Sequence, residues 1–352
     1  MDARAVAAAL VLLPLSLGHI ANVHSLHGRP PAWLLFAASV VARDEPPRGF
    51  TPSPDIYSLS ASGQLAQLTF TGGESPVPSP DGRRVAFTRN GELWLMSADG
   101  RRQRPLAREA VAAAWSPDSR WIAYTSGTAS NVAGIRLIKA DGTSGLMLVH
   151  GFVYTPVWSP DGRSLAFIRA TTVQDQPATY QVVIVRNGRQ RIIATASGSG
   201  APSWSADGRW LAYDGCTQRC GVVIVHPDGS GRRFVAAGSG AIWSPHGSEL
   251  AYVENAAIAL YDERRGTRRF LVAPPAGLTG ALSWSPDGTK IAYELFNGES
   301  ELGQFQTVSL RGRVRSLGIY PDAAAPVWTR PPVGVFTTGR RNRSAPFQSD
   351  AS

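Results

Sequence analysis

Along most of this chain, short apolar runs alternate with clusters of serine, proline, aspartate and glycine. The stretch "VWSPDGRSLAF" (157–167) shows the unit: a tryptophan, a tight turn and a short apolar strand. Strong copies are "AAWSPDSRWIAY" (113–124), "PSWSADGRWLAY" (202–213), "AIWSPHGSELAY" (241–252) and "LSWSPDGTKIAY" (282–293). Weaker copies flank them, "PVPSPDGRRVAF" at 76–87 and a truncated "APVWTRPP" at 325–332. In Ser-Pro-Asp-Gly, proline presets φ for a type I turn, aspartate suits the third position and glycine takes a following left-handed one. The turn therefore predicts a hairpin. The strand after it, as in Leu165-Ala166-Phe167 or Ile291-Ala292-Tyr293, is apolar on both faces. Such a strand lies between two sheets, and its alanine allows close approach.

A second turn marks the other half of each unit: Ser62-Gly63, Asp99-Gly100, Asp141-Gly142, Asn187-Gly188, Asp228-Gly229, Arg265-Gly266 and Arg311-Gly312. "YQVVIVRNGRQRIIAT" (180–195) reads as strand, turn, strand. One repeat is thus four antiparallel strands. The leading positions Pro78, Trp115, Trp158, Trp204, Trp243, Trp284 and Trp328 are 37, 43, 46, 39, 41 and 44 residues apart, the period of a propeller blade. The chain enters on a second half (55–69) and leaves on a first half (325–338). Pairing these halves closes a ring and hides both sheet edges. The reading is an all-β fold, a propeller of four-stranded antiparallel blades over residues 50–338. Seven blades are expected, six if the degenerate last copy forms none.

The Trp-Ser-Pro-Asp-Gly-Arg copies followed by an apolar-Ala-Phe/Tyr strand resemble the WD-like repeats of TolB-type β-propellers. The resemblance is one of repeat motif and implies the fold; activity sits in sites grafted onto it. TolB carries an α/β domain ahead of its propeller, whereas about 50 residues precede the repeats here. Ser119 and His246 depart from the motif, where glycine and aspartate are expected, and each should relax its turn.

Export is suggested by apolar runs at 5–23 and 32–42, the second ending in Val40-Val41-Ala42. Either could be the core of a signal peptide, and the first could anchor the chain. Residues 1–49 are therefore read as leader or anchor plus linker, and 339–352 as a disordered basic tail. In an oxidising compartment Cys216 and Cys220, the two cysteines, suit a disulfide clipping a short loop. The net charge of +9 comes from arginine, Lys139 and Lys290 being the lysines. Arg83, Arg84, Arg101, Arg102, Arg189, Arg232, Arg233, Arg264, Arg265, Arg311 and Arg313 fall in or beside within-blade turns. That phase predicts a basic ring on one face, open to an anionic polysaccharide or membrane surface.

Catalytic chemistry finds little support. The repeated Asp81, Asp118, Asp161, Asp207 and Asp287 are explained by their turns. No G-x-S-x-G occurs, which excludes a serine hydrolase of the type that propellers precede in prolyl-oligopeptidase-like enzymes. Oligogalacturonate lyases, similar in propeller type, hold a metal with channel histidines. Here the phase puts His226 and His246 on one face and His150 on the other, so no metal site and no cofactor is expected. Binding is expected at the face built from blade connections, with three long loops at 125–134, 169–179 and 294–303. Its candidate rim is Glu74, Arg108, His150, Tyr154, Asp175, Arg219, Glu254, Glu299 and Tyr320. The expected molecule is a monomeric adaptor for another envelope protein, with a polysaccharide-active enzyme or an anionic-polymer binder as alternatives. Nucleic acid is not an expected partner.

Overall fold

A computed structural model describes residues 32–38, 54–60, 65–128, 131–171, 178–273, 278–296, 302–321 and 326–329. These residues form strands and turns arranged as a β-propeller. There are five four-stranded antiparallel sheets and one of eight strands. The eight-stranded sheet divides at the single pair Ala196↔Gly215 into two units of four, giving seven four-stranded units among the described residues. We number six of them in chain order: residues 74–107, 110–150, 153–196, 203–236, 239–272 and 278–321. The seventh, the closing blade, is built from both ends of the described chain.

Innermost in each blade lies the strand that ends at the repeat tryptophan, or at Pro78 in the first blade. These inner strands touch in cyclic order, and Val327–Trp328 of the closing blade contacts the inner strands of both the sixth and the first blades. The packing between blades follows the repeat. Ala86, Ala123, Ala166, Ala212, Ala251 and Ala292 are fully buried, and so are the neighbouring Phe87, Phe167, Tyr252 and Tyr293. Aromatic rings thus fill the space between adjacent sheets, while the alanines let the sheets approach.

The closing blade differs from the expected pairing of two halves. Its order is Val327–Trp328, Ala32–Ala38, Asp55–Ser60, Leu65–Gln67. One strand comes from the C-terminal side and three from the N-terminal side. Ala32–Ala38 fills the second-strand place expected of residues 333–338, which lie outside the described residues. Its register, Leu34↔Trp328 and Leu35↔Val327, repeats that of Leu165 and Ala166 on Trp158 and Val157. The apolar run read as a possible leader core is therefore a propeller strand, and the fold begins upstream of residue 50. The physical reason is that Leu34, Phe36 and Ala38 bury completely against Tyr57, Phe305 and Trp328. The earlier run 5–23 and the tail 339–352 lie outside the described residues. No helix among the described residues is long and apolar enough to cross a membrane.

Candidate functional site

Two faces follow from the strand order. The loop face carries the blade-to-blade connections and the hairpins between second and third strands. The turn face carries the Ser-Pro-Asp-Gly turns and the hairpins between third and fourth strands.

On the turn face each motif that carries its aspartate is a closed hydrogen-bond unit. Ser159 Oγ donates to Asp161 Oδ1 (2.6 Å), the Arg163 N–H donates to the same oxygen (3.0 Å), and the Ser164 N–H donates to Ser159 Oγ (2.9 Å). Those hydrogen bonds, from Ser159 first and Arg163 second, hold the Asp161 carboxyl below its usual range. Asp81, Asp118, Asp207 and Asp287 make the same contacts, so the carboxylates serve their turns. The two departures differ: Ser119 keeps the turn, its N–H donating to Ser116 O at 2.9 Å, whereas the His246 copy lacks the corresponding Gly247 N–H bond to Ser244 O and its turn is relaxed. Ser119 adopts φ 60°, where Gly162 has 68°, and its Oγ accepts the Asp81 N–H of the preceding blade. His246 Nε2 meets Pro286 O of the following blade at 2.9 Å.

The tryptophans do more than mark the repeat. Trp115 Nε1 donates to Val77 O, Trp158 to Ala114 O, Trp204 to Val157 O, Trp284 to Ile242 O and Trp328 to Ser283 O. Each indole thereby staples its blade to the preceding inner strand. Trp243 Nε1 is buried without such a partner.

The loop face holds the predicted rim, spread around the ring. Glu74 and Tyr154 stand at the open ends of inner strands. Arg108 occupies a blade connection, 92% exposed, with its Nε 3.9 Å from Glu92. His150 is exposed at the end of Gly145–His150. Arg219 lies in the hairpin between Cys216 and Cys220, which are joined by a disulfide. Glu254 is partly buried and pairs with Arg268 at 3.6 Å. Tyr320 lies in the strand Val314–Pro321, while Asp175 and Glu299 fall outside the described residues. Of the three stretches expected as long loops, 125–134 is strand on both sides of residues 129–130; those two residues, 172–177 of the second stretch and 297–301 of the third lie outside the described residues. His226 and His246 sit at the turn face, away from His150. No three potential metal ligands group together among the described residues.

Several features of this face were missed in the sequence. Phe70 (65% exposed) and Phe152 (47%) project from blade connections, and Val111 (43%) matches Tyr154 (37%) in its place on the inner strand. Tyr154 also packs on Tyr180, ring centroids 6.2 Å apart. An apolar residue in a connection stands out only once burial is known. Asp214 and Glu294 follow the core aromatic in their strands, and burial pushes both carboxyls up. Asp214 Oδ2 accepts the Gly240 N–H at 3.3 Å, and Oδ1 is buried without a partner.

Two clefts lie on the turn face instead. One, of about 400 Å³, is lined by Trp243, Trp284, Trp328 and neighbouring prolines at the end of the central channel. The other, of about 600 Å³, opens between the third and fourth blades.

A family model, the TolB beta propeller domain, matches residues 89–329. The putative tricorn-like protease C-terminal subunit of Sulfurisphaera tokodaii is 29% identical over 151 residues, 41% of this chain, and the match spans 17% of that protein's length. TolB from Acinetobacter baumannii has the same fold with a TM-score of 0.52 at 15% identity, over 80% of each chain. An oligogalacturonate lyase in complex with manganese gives 0.57 at 14% identity, over 82% of this chain and 85% of that one. At such identities the structural likeness is one of fold. The motif, the blade architecture and the family match agree: the chain belongs to the TolB beta propeller domain family.

Proposed function

We propose that this propeller is an exported adaptor that binds another protein of the cell envelope through its loop face. The observation that carries this reading is the set of exposed apolar residues Phe70, Val111, Phe152 and Tyr154 on that face. Large aromatic side chains left in water are the usual anchors of protein interfaces, because burying them releases much ordered water. Arg108 and Glu92 add the polar contacts of a rim. The manganese-bound lyase offers an enzyme reading, but the described inner strands contain two ionisable side chains, Glu74 and Tyr154, which do not make a metal or acid–base set. Export is part of the same proposal, with the leader upstream of Ala32, since cleavage after Ala42 would remove a strand of the closing blade.

The test is affinity capture from the cell's own envelope extract, with Phe70, Phe152 and Tyr154 changed together to Ala in a parallel sample. A stoichiometric protein retained by the native chain and lost by a variant of unchanged melting temperature is the expected result. Equal retention by both chains, or retention by neither, overturns the loop-face reading.

A further inference from the structure

Most turn-face arginines named in the sequence share their turns with acids. Arg84 approaches Asp81, Arg101 approaches Asp99, Arg233 bonds Glu263 at 2.8 Å and Arg265 approaches Asp262. The basic ring is thus interleaved with carboxylates in the first, fourth and fifth blades.

The third blade is different. Between its outer strands, Arg186 and Arg189 are direct cross-strand partners, and Arg191 faces Ile184 one step further along. The two-residue period of a strand puts Ile184 and Arg186 on one face, so all three arginines share that face. Like charges placed directly opposite on a sheet are destabilising. Corresponding turns of the first, second, fourth and fifth blades contain Asp99, Asp141, Asp228 and Asp262, whereas this one contains Asn187. The sixth blade also lacks an acid there, but its pair is the apolar Val308↔Val314. None of Arg186, Arg189 and Arg191 makes an ion pair among the described residues. The nearby carboxylates of Asp161 and Asp228 feel Arg186 and Arg191, but their Oδ1 atoms accept from their own turns.

These three arginines line the 600 Å³ cleft against the fourth blade, whose Pro227 forms the opposite wall, and Ile184 supplies an apolar floor. That size suits a small ligand. Guanidinium forks bind tetrahedral oxyanions by paired N–H donors, and three of them match a phosphoryl group better than a single carboxylate. We propose that the cleft between the third and fourth blades is a binding site for a phosphate ester, the phosphoryl group held by Arg186, Arg189 and Arg191 and its organic body resting on Ile184 and Pro227. The site is on the opposite face from the proposed protein interface and is independent of it.

The same chemistry is presented by a soluble phosphate ester and by a lipid headgroup, and two arms separate them. Calorimetry with glycerol 3-phosphate tests the first. Co-sedimentation with phosphatidylglycerol vesicles, against pure phosphatidylcholine vesicles, tests the second. Saturable binding in either arm is expected, at least tenfold weaker for Arg186→Gln/Arg189→Gln. The control is Arg311→Gln/Arg313→Gln, which removes equal charge from the corresponding turn of the sixth blade and should change binding less than twofold. The Arg186→Gln/Arg189→Gln protein should melt no lower than wild type, because it relieves a like-charge pair. Equal losses in the two variants, no saturable binding in either arm, or a lowered melting temperature for Arg186→Gln/Arg189→Gln overturns the proposal.

Discussion

The indole N–H of Trp284 reaches Ile242 O at 3.1 Å, while the equally buried Trp243 has no such acceptor. This pair separates two jobs of the repeat tryptophan, filling space and stapling blades. Replacing Trp284 by Phe leaves a carbonyl unpaired as well as a smaller ring, and should cost about 1 kcal/mol more than Trp243→Phe. Urea melts of the two variants check this, and equal losses would assign the tryptophans to packing alone. The turn aspartates act in the same way on a smaller scale. Because the folded carboxyl of Asp161 titrates below its usual range, its contribution is complete above the unfolded value near pH 4 and is lost as the pH falls through the folded one. Asp161→Asn should therefore be destabilised by roughly 1 kcal/mol at neutral pH, with the deficit shrinking in acid. A thermal melt series from pH 7 to about pH 3 measures that convergence. Ser119 shows what the motif spelling hides: a positive φ is kept because its hydroxyl gains a bond to the neighbouring blade.

The strand Ala32–Ala38 is the element where sequence and structure part. Other blades write the second strand as apolar-Ala-aromatic, but here Leu35 replaces the alanine and Phe36 holds the aromatic place. Without that alanine and without a Ser-Pro-Asp-Gly turn before it, the run reads as a leader core, since a strand buried on both faces and a signal peptide are both short and apolar. Phe36 is fully buried and packs edge-on to Phe305 at 4.9 Å and stacked on Tyr57 at 5.8 Å. Phe36→Ala should cost about 3–5 kcal/mol, as other core phenylalanine truncations do. A leader residue would cost the folded chain nothing, so a single denaturation curve decides the matter.

Across the whole molecule, the cyclic contacts of the inner strands make the closing blade the joint of the ring. A chain begun at residue 43 lacks the strand between Asp55–Ser60 and Val327–Trp328. It should melt broadly and at lower temperature than the full chain, and bind a hydrophobic dye, because Phe305 and Trp328 lose their cover. A chain begun at residue 25 keeps Ala32–Ala38 and should melt sharply, like the full chain. Matching melts for both truncated chains would contradict the assignment of this strand to the fold.

The repeat period, the turn chemistry and the buried alanine–aromatic strands are local patterns, and the sequence alone determined blades and faces from them. Hairpins form between neighbours, so strand phase is enough to place His150 apart from His226 and His246, or the arginines with their turns. Which distant segment closes the ring was decided only by tertiary pairing, because Leu34 meets Trp328 across nearly the whole chain. The same holds for the site. Charge type was legible, but whether an arginine is neutralised depends on side chains from other strands. Arg233 finds Glu263 in the next blade, while Arg186 finds Arg189 across its own hairpin. Exposure of Phe70 and Phe152 was likewise set by what packs around them, and no local pattern carries that information.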